Sequence, residues 1–344
     1  MKTATTVSKP LEPGEVLVSG APEGFDATLL ATLIERAQHG AGGGGPALHI
    51  GRDDRRAAAM ADALAVVAPE LPVFRFPAWD CLPYDRVSPN SEIVSQRMAT
   101  LAALADGIDF PCVILSTINA VSQRVPPRAA IQARSWVSGV GGRCDTDELI
   151  HYLGENGYHR ASTVTEPGDF AVRGGVIDIF PPGADNPVRL DLFGDVLESA
   201  RRFDAASQRT LEKIKRVELA PISEVLLDEE SIGRFRARYR ETFGAAGTMD
   251  PLYAHVSDGA RLQGMEHWLP FYYDQLETLF DYLPGALVSF DHLTEEAHGA
   301  RWDTIRDHYA ARRDVLDEAA PSQGLAAGQV YKPVAPEALY LAPD

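Results

Sequence analysis

A chain of 344 residues with 45% hydrophobic and 24% charged residues has the composition of a globular protein of two or three domains, which excludes whole-chain disorder, collagen and coiled coil. Its 32 Lys and Arg stand against 49 Asp and Glu, a formal charge of -17, so non-specific binding to nucleic acid is not expected of this chain alone. No apolar run reaches the roughly 18 residues of a membrane span, residues 1–14 lack the apolar centre of a signal peptide, and Cys81, Cys112 and Cys144 form no Cys-x-x-Cys pair. A soluble, cytoplasmic protein with reduced core thiols and no membrane partner is expected.

The first 137 residues alternate short apolar strands with amphipathic helices, the pattern of a parallel α/β sheet. Strands are predicted at Val16 to Ser19, Ala47 to Ile50, Val73 to Phe76 and Cys112 to Ser116, and helices at Asp26 to Gln38, Arg52 to Val67, Ser91 to Ala105 and Ile118 to Gln123. Gly40 to Pro46 reads as a flexible loop. From about Trp136 the period changes: after a helix over Thr146 to Glu155, strand-like runs are punctuated by Pro167-Gly168, Pro181-Pro182-Gly183 and Gly194-Asp195. Hairpin spacing predicts an inserted antiparallel domain near 138–217. A helix over Glu229 to Phe243, a run from Tyr253 to His267, a strand from Ala286 to Phe290 and a helix over Thr294 to Leu316 follow. The sheet begun by Val16 to Ser19 and Cys112 to Ser116 is expected to receive the strand at 286–290. The tail after Ala319, rich in Pro, Ala and Gly, has no closing element and reads as a linker toward something further along.

Gly20 to Asp26 sits between a predicted strand and a helix, where a phosphate-binding loop would lie. Such a loop needs Gly-x-x-x-x-Gly-Lys-Ser/Thr, so that backbone N–H groups cradle phosphates, Lys neutralises them and the hydroxyl holds magnesium. Here the spacing Gly20 to Gly24 is one residue short, Phe25 and Asp26 stand where Lys and Ser/Thr belong, and Glu23 adds a carboxylate. The strand ending in Asp291-His292 keeps only the first acid of an Asp-Glu pair. These features predict an ATPase-like fold without bound nucleotide or hydrolysis.

In Pro187 to Phe193 strict alternation puts Val188, Leu190 and Leu192 on a core face and Arg189, Asp191 and Phe193 on the other. Phe193 is then an aromatic on a polar face beside an arginine, a composition that interface anchors favour. Arg173, at the Gly174-Gly175 turn, could lie across from Arg189. The open alternative is that Phe193 packs under a loop and both arginines pair with Asp178, Asp191 or Asp195. Arg201, Arg202, Arg209, Lys213, Lys215 and Arg216 form the one basic stretch and read as a solvated face. The nine histidines show no zinc-helix spacing and no Ser sits in a nucleophile elbow, so no catalytic or metal site is assigned.

Phe76-Pro77-Ala78-Trp79-Asp80-Cys81-Leu82-Pro83-Tyr84-Asp85, Ile93-Val94-Ser95-Gln96-Arg97, Arg173-Gly174-Gly175-Val176-Ile177-Asp178-Ile179-Phe180-Pro181, Arg189-Leu190-Asp191-Leu192-Phe193 and Gly264-Met265-Glu266-His267-Trp268-Leu269-Pro270 closely resemble the N-terminal region of the bacterial transcription-repair coupling factors. The resemblance implies a module similar to the excision-repair protein UvrB: a helicase-like α/β domain in two segments (1–137 and 218–325), an inserted antiparallel α+β domain (138–217) that binds UvrA, and a linker (326–344). It implies a decayed nucleotide site at Gly20, Gly24, Phe25 and Asp26. It matches Arg173, Arg189 and Phe193 to UvrA-contacting positions, with no catalytic or metal residue and no cofactor for this chain. An ATP- and Mg-dependent translocase motor, and the contacts to RNA polymerase and double-stranded DNA, are implied for other parts of the parent protein. The aromatic hairpin with which UvrB grips damaged DNA is absent, since Trp79 passes to Tyr84 in five residues. The competing reading is a stand-alone UvrB-like repair ATPase or helicase.

Overall fold

The computed structural model describes residues 16–20, 22, 24–38, 45–244, 250–319 and 330–343. Its first part runs α1 (Phe25–Gln38), β1 (Ala47–Gly51), α2 (Asp54–Val67), β2 (Val73–Phe76), α3 (Ser91–Asp106), β3 (Val113–Thr117), α4 (Ile118–Val121) and α5 (Arg128–Gln132). β1 and β3 are buried at every position, as parallel strands covered on both faces must be. On one face Met98, Leu101 and Leu104 of α3 pack against Leu48, Ile50 and Ile114; on the other, Leu30 and Ile34 of α1 join Met60 and Leu64 of α2 over Ala47, Val113 and Leu115. Side-chain caps start these helices: Asp53 accepts from the Arg56 amide and Asn90 from that of Glu92.

The chain leaves this body through β4 (Trp136–Gly139). It then forms α6 (Thr146–Glu155) and the strands β5 (His159–Arg160), β6 (Asp169–Arg173), β7 (Val176–Ile179), β8 (Val188–Phe193), β9 (Val196–Phe203) and β10 (Thr210–Ile214), and returns through β11 (Arg216–Leu219). β4 and β11 pair antiparallel as a two-stranded neck. The six strands between them form one sheet in the order β10-β9-β8-β7-β6-β5. It is antiparallel apart from the short β5–β6 pair, which is parallel. α6 covers one face, with Leu149 and Leu153 against Ile177, Ile179, Leu190 and Leu197.

α7 (Glu229–Phe243), α8 (Pro251–Ser257), a 3-10 turn over Met265–Phe271, β12 (Leu287–Phe290), α9 (Thr294–Ala319) and α10 (Pro336–Leu339) complete the chain. β12 pairs parallel with β1, giving the first sheet the order β12-β1-β3-β2, so residues from both sides of the neck build one sheet. A third core joins Trp79 and Tyr84 to Phe235, Tyr239, Trp268 and Tyr272. Among the described residues no helix is long and apolar enough to cross a membrane.

Two expectations need correction. Val16 to Ser19 is no strand: Val16 is 84% exposed and the run has no ladder partner, because the edge of the sheet is β12. A Val-Leu-Val run favours extended backbone, but it needs a neighbour and a face to bury before that becomes a strand. Between Tyr253 and His267 the chain passes from α8 to the 3-10 turn through Gly259 and Gly264, both at positive φ. At Gly264 a Cβ would also stand 2.8 Å from the Arg86 carbonyl carbon, so the chain passes there only as glycine. The expected linker is docked instead: Tyr331, Val334, Leu339 and Tyr340 are buried, the Tyr331 ring packs tilted against Trp268 with centroids 4.5 Å apart, and the Leu341 amide donates to the Ser122 carbonyl at 2.7 Å.

His267 lies in this third core against Trp79, and burial pushes its pKa down to about 4. An unfolded chain takes up the proton near pH 6.5, so the stability contributed by the neutral ring is full above that pH and is lost as pH falls toward 4. The loss is about 3 kcal/mol. Urea unfolding at pH 7, 5.5 and 4.5 should show this decline, and His267→Gln should flatten it; an unchanged slope in the variant would contradict the assignment.

Candidate functional site

The face of the six-stranded sheet away from α6 carries a charged row. Asp178 on β7, only 1% exposed, sits in register with Arg189 on β8, which in turn faces Arg201 on β9. Arg189 clasps the Asp178 carboxylate through Nε and Nη2 at 2.6 and 2.8 Å, and its guanidinium lies 4.4 Å over the Phe203 ring. The hydrogen bond and charge of Asp178 raise the pKa of Arg189, although burial works against them. Arg201 pairs with Asp191 at 3.0 Å, and Ser199 donates to the same carboxylate.

Of the two readings left open for Arg189, paired packing holds: it is half-buried, and its planar fork is already satisfied. Arg173 does not lie across from it. Arg173 is in register with Val176 beside the Gly174-Gly175 turn, and Asp178 stands between the two arginines. It remains exposed, donates to the Ser162 carbonyl at 2.6 Å and reaches Asp178 only at 3.7 Å.

Phe193 is not under a loop. It ends β8 opposite Val196, flanking the two-residue turn Gly194-Asp195 with positive φ at Gly194, and is 78% exposed. The alternation of β8 puts Val188 and Leu190 in the core, and between Asp191 and Leu192 its register with β9 shifts past the extra residue Glu198 of β9. The β6–β7 turn lies alongside: the Leu192 amide donates to the Gly175 carbonyl at 2.7 Å, and a Cβ on Gly175 would meet the Leu192 oxygen at 2.7 Å. Arg173 and Phe193 thus sit on adjoining hairpin tips. Of the basic stretch, Arg202 pairs with Glu212 and Arg216 with Glu218, both in the open, where such pairs contribute little.

At the carboxyl ends of β1 and β12, Asp26 from the start of α1 and Asp291 after β12 are bridged by Arg56 of α2. Arg56 donates to Asp26 at 2.7 Å and to Asp291 at 3.0 and 3.2 Å, and His292 contacts Asp291 at 2.9 Å. Burial works to raise the Asp291 pKa, but Arg56 and His292 outweigh it and hold it below the usual carboxylate range. Burial likewise lowers His49, which meets Ser289 at 2.9 Å. Gly20 and Gly24 keep positive φ, yet no strand feeds the loop, and Phe25 opens α1 with its ring 45% exposed.

Among the described residues no group of three or more His, Cys, Asp or Glu could hold a metal ion. Cys81 approaches His267 at 4.0 Å, but burial, Glu266 and Asp80 push the thiol up to about 12, leaving it no nucleophile.

One pair escaped the sequence. Arg97 on α3 and Glu224, just past β11, are both fully buried and joined at 2.6 and 3.1 Å. Arg97 also donates to the Pro77 carbonyl and covers the Phe76 ring at 4.2 Å, while Trp79 donates to Glu224. This network pins the end of the inserted sheet to the body.

A family model for the UvrB interaction domain matches residues 139–224, a stretch containing the whole six-stranded sheet and with it Arg173, Arg189 and Phe193. The transcription-repair-coupling factors of Haemophilus influenzae and Escherichia coli are each 32% identical to the chain, over 88% and 92% of it and 26% and 27% of their own lengths. That of Myxococcus xanthus is 37% identical over 71% of the chain and 23% of its own length. By these matches the chain is similar to the transcription-repair-coupling factors over about a quarter of their length, and its residues 139–224 match the UvrB interaction domain.

Proposed function

We propose that this chain is the adaptor region of a factor acting in transcription-coupled DNA repair, and that it recruits UvrA through the adjoining hairpin tips of its six-stranded sheet. The observation that carries this reading is Phe193, a large aromatic 78% exposed inside the stretch matched as a UvrB interaction domain, with the exposed Arg173 on the next turn. An apolar ring beside a guanidinium gives a partner area to bury and a fork for its carboxylates. Arg189, at home in its pair with Asp178, holds the sheet in register beneath them. Residues 1–137 and 218–325 then serve as a helicase-like body around the insert. ATP-driven translocation, with its Mg, and contact with RNA polymerase and double-stranded DNA fall to regions outside this chain. Pull-down of UvrA by the chain tests the reading directly; absence of binding with both proteins folded would overturn it.

The same reading makes this region a non-enzyme. A triphosphate placed at Gly20 to Asp26 would meet Asp26 and Asp291 without a lysine, and Arg56 is already held between those carboxylates. Isothermal titration with Mg-ATP should show no micromolar binding, whereas a micromolar affinity would restore the ATPase alternative.

A further inference from the structure

At the carboxyl ends of β1 and β3, α9 packs beside α4 and leaves a cleft of about 400 Å³. Arg52 and Asp53 enter it from the end of β1, Asn119 from α4 directly after β3, and Arg301 and Thr304 from α9. This is the crevice in which open parallel sheets hold their ligands. It adjoins the arrangement around Arg56, which Arg52 reaches through His292, and the proposed UvrA contact does not use it.

Arg301 is the telling residue. It is half-buried, its Nε is shielded from solvent without a hydrogen-bond partner, and among the described residues its guanidinium forms no ion pair. In a chain with 49 acidic against 32 basic residues a carboxylate partner would be easy to supply, and a guanidinium nitrogen shielded from solvent without a partner is costly. Arg52 lies within the same cleft, half-buried, touching His292 and, at 3.5 Å, Asp53. Asp53 is the one carboxylate of the lining, and it is already committed to capping α2. Two guanidinium groups, an amide and a hydroxyl therefore face one small polar space. Forked guanidinium donors match a phosphate oxyanion. No aromatic side chain lines the cleft, so a base would find no platform on which to stack.

We infer that the Arg52–Arg301 cleft is a binding site for a phosphate group, recognised without its base or sugar. The probes are inorganic phosphate and a short single-stranded oligothymidylate, titrated into the full chain at low salt. Arg301→Gln and Arg52→Gln should each weaken binding about tenfold, the loss expected for one charge-assisted contact. Arg313→Gln, further along α9 and outside the cleft, should leave it unchanged. Arg301→Gln gives up no partner, so its melting temperature should not fall, which separates a lost site from a lost fold. Oligonucleotide binding that is tighter than phosphate binding and lost in the same variants would identify a nucleic-acid backbone as the source; phosphate binding alone would identify a free phosphate or a phosphorylated small molecule. Failure of both probes to bind, or equal binding by wild type and both cleft variants, would overturn the site.

Discussion

Truncating Arg97 to alanine should cost the fold about 3–5 kcal/mol, because it strands the Glu224 carboxylate in a dry core. Glu224 is 1% exposed, and its remaining partner, the Trp79 indole N–H, cannot balance a full charge. The loss is compounded by packing, since the Arg97 guanidinium fills the space over Phe76. Replacing both members with apolar residues, Arg97→Met with Glu224→Leu, should recover much of the stability, as buried pairs generally allow. Equilibrium unfolding in urea reads both. A single variant within about 1 kcal/mol of wild type would contradict the keystone role.

Arg189→Ala should behave quite differently from Phe193→Ala. Asp178 is buried, and loss of its bidentate partner leaves an unsatisfied carboxylate, a penalty of about 2–3 kcal/mol. Arg173, at 3.7 Å, offsets only part of that. The Phe203 ring also loses its cover. Phe193→Ala removes a ring that touches mostly water and should shift stability by no more than about 0.5 kcal/mol. Reduced UvrA binding by Arg189→Ala would therefore mix a weakened sheet with a lost contact. Thermal melts of the two variants check the distinction, and equal midpoints would contradict it.

The legibility of the fold follows the range of the forces involved. α6 and α7 have the bounds their sequences predict because local groups mark the ends: Asp145 and Asp228 cap the starts, and Gly157 and Gly244, at positive φ, follow the ends. Alternation likewise placed the faces of β8, since every second residue meets α6. Val16 to Ser19 looked like a strand by composition, but pairing depends on a neighbour that local pattern does not reveal. The docked tail was hidden for the same reason: Tyr331 and Tyr340 are two rings in a stretch otherwise reading as linker, and their contacts, Trp268 and Tyr84, lie far away in sequence.

The candidate site divides the same way. Pattern identified Phe193 as facing outward, but not that Asp178, eleven residues before Arg189, would stand in register with it and absorb its charge. Arg97 and Glu224 are 127 residues apart, and each alone reads as a surface charge. The decay of the nucleotide loop was legible at Phe25 and Asp26; that Arg56 would bridge Asp26 to Asp291 was not, because it required β12 to return beside β1.

The placement of the UvrA contact on the hairpin tips stands or falls on Phe193. The most direct measurement is a calorimetric titration of UvrA into the wild-type chain, Phe193→Ala and Leu211→Ala, the last an exposed apolar residue on the edge strand of the same sheet. Wild type and Leu211→Ala should bind alike, while Phe193→Ala, with an unchanged melting temperature, should lose about thirtyfold or more in affinity, the cost of truncating a central anchor. Undiminished binding by Phe193→Ala would place the UvrA contact elsewhere on the molecule.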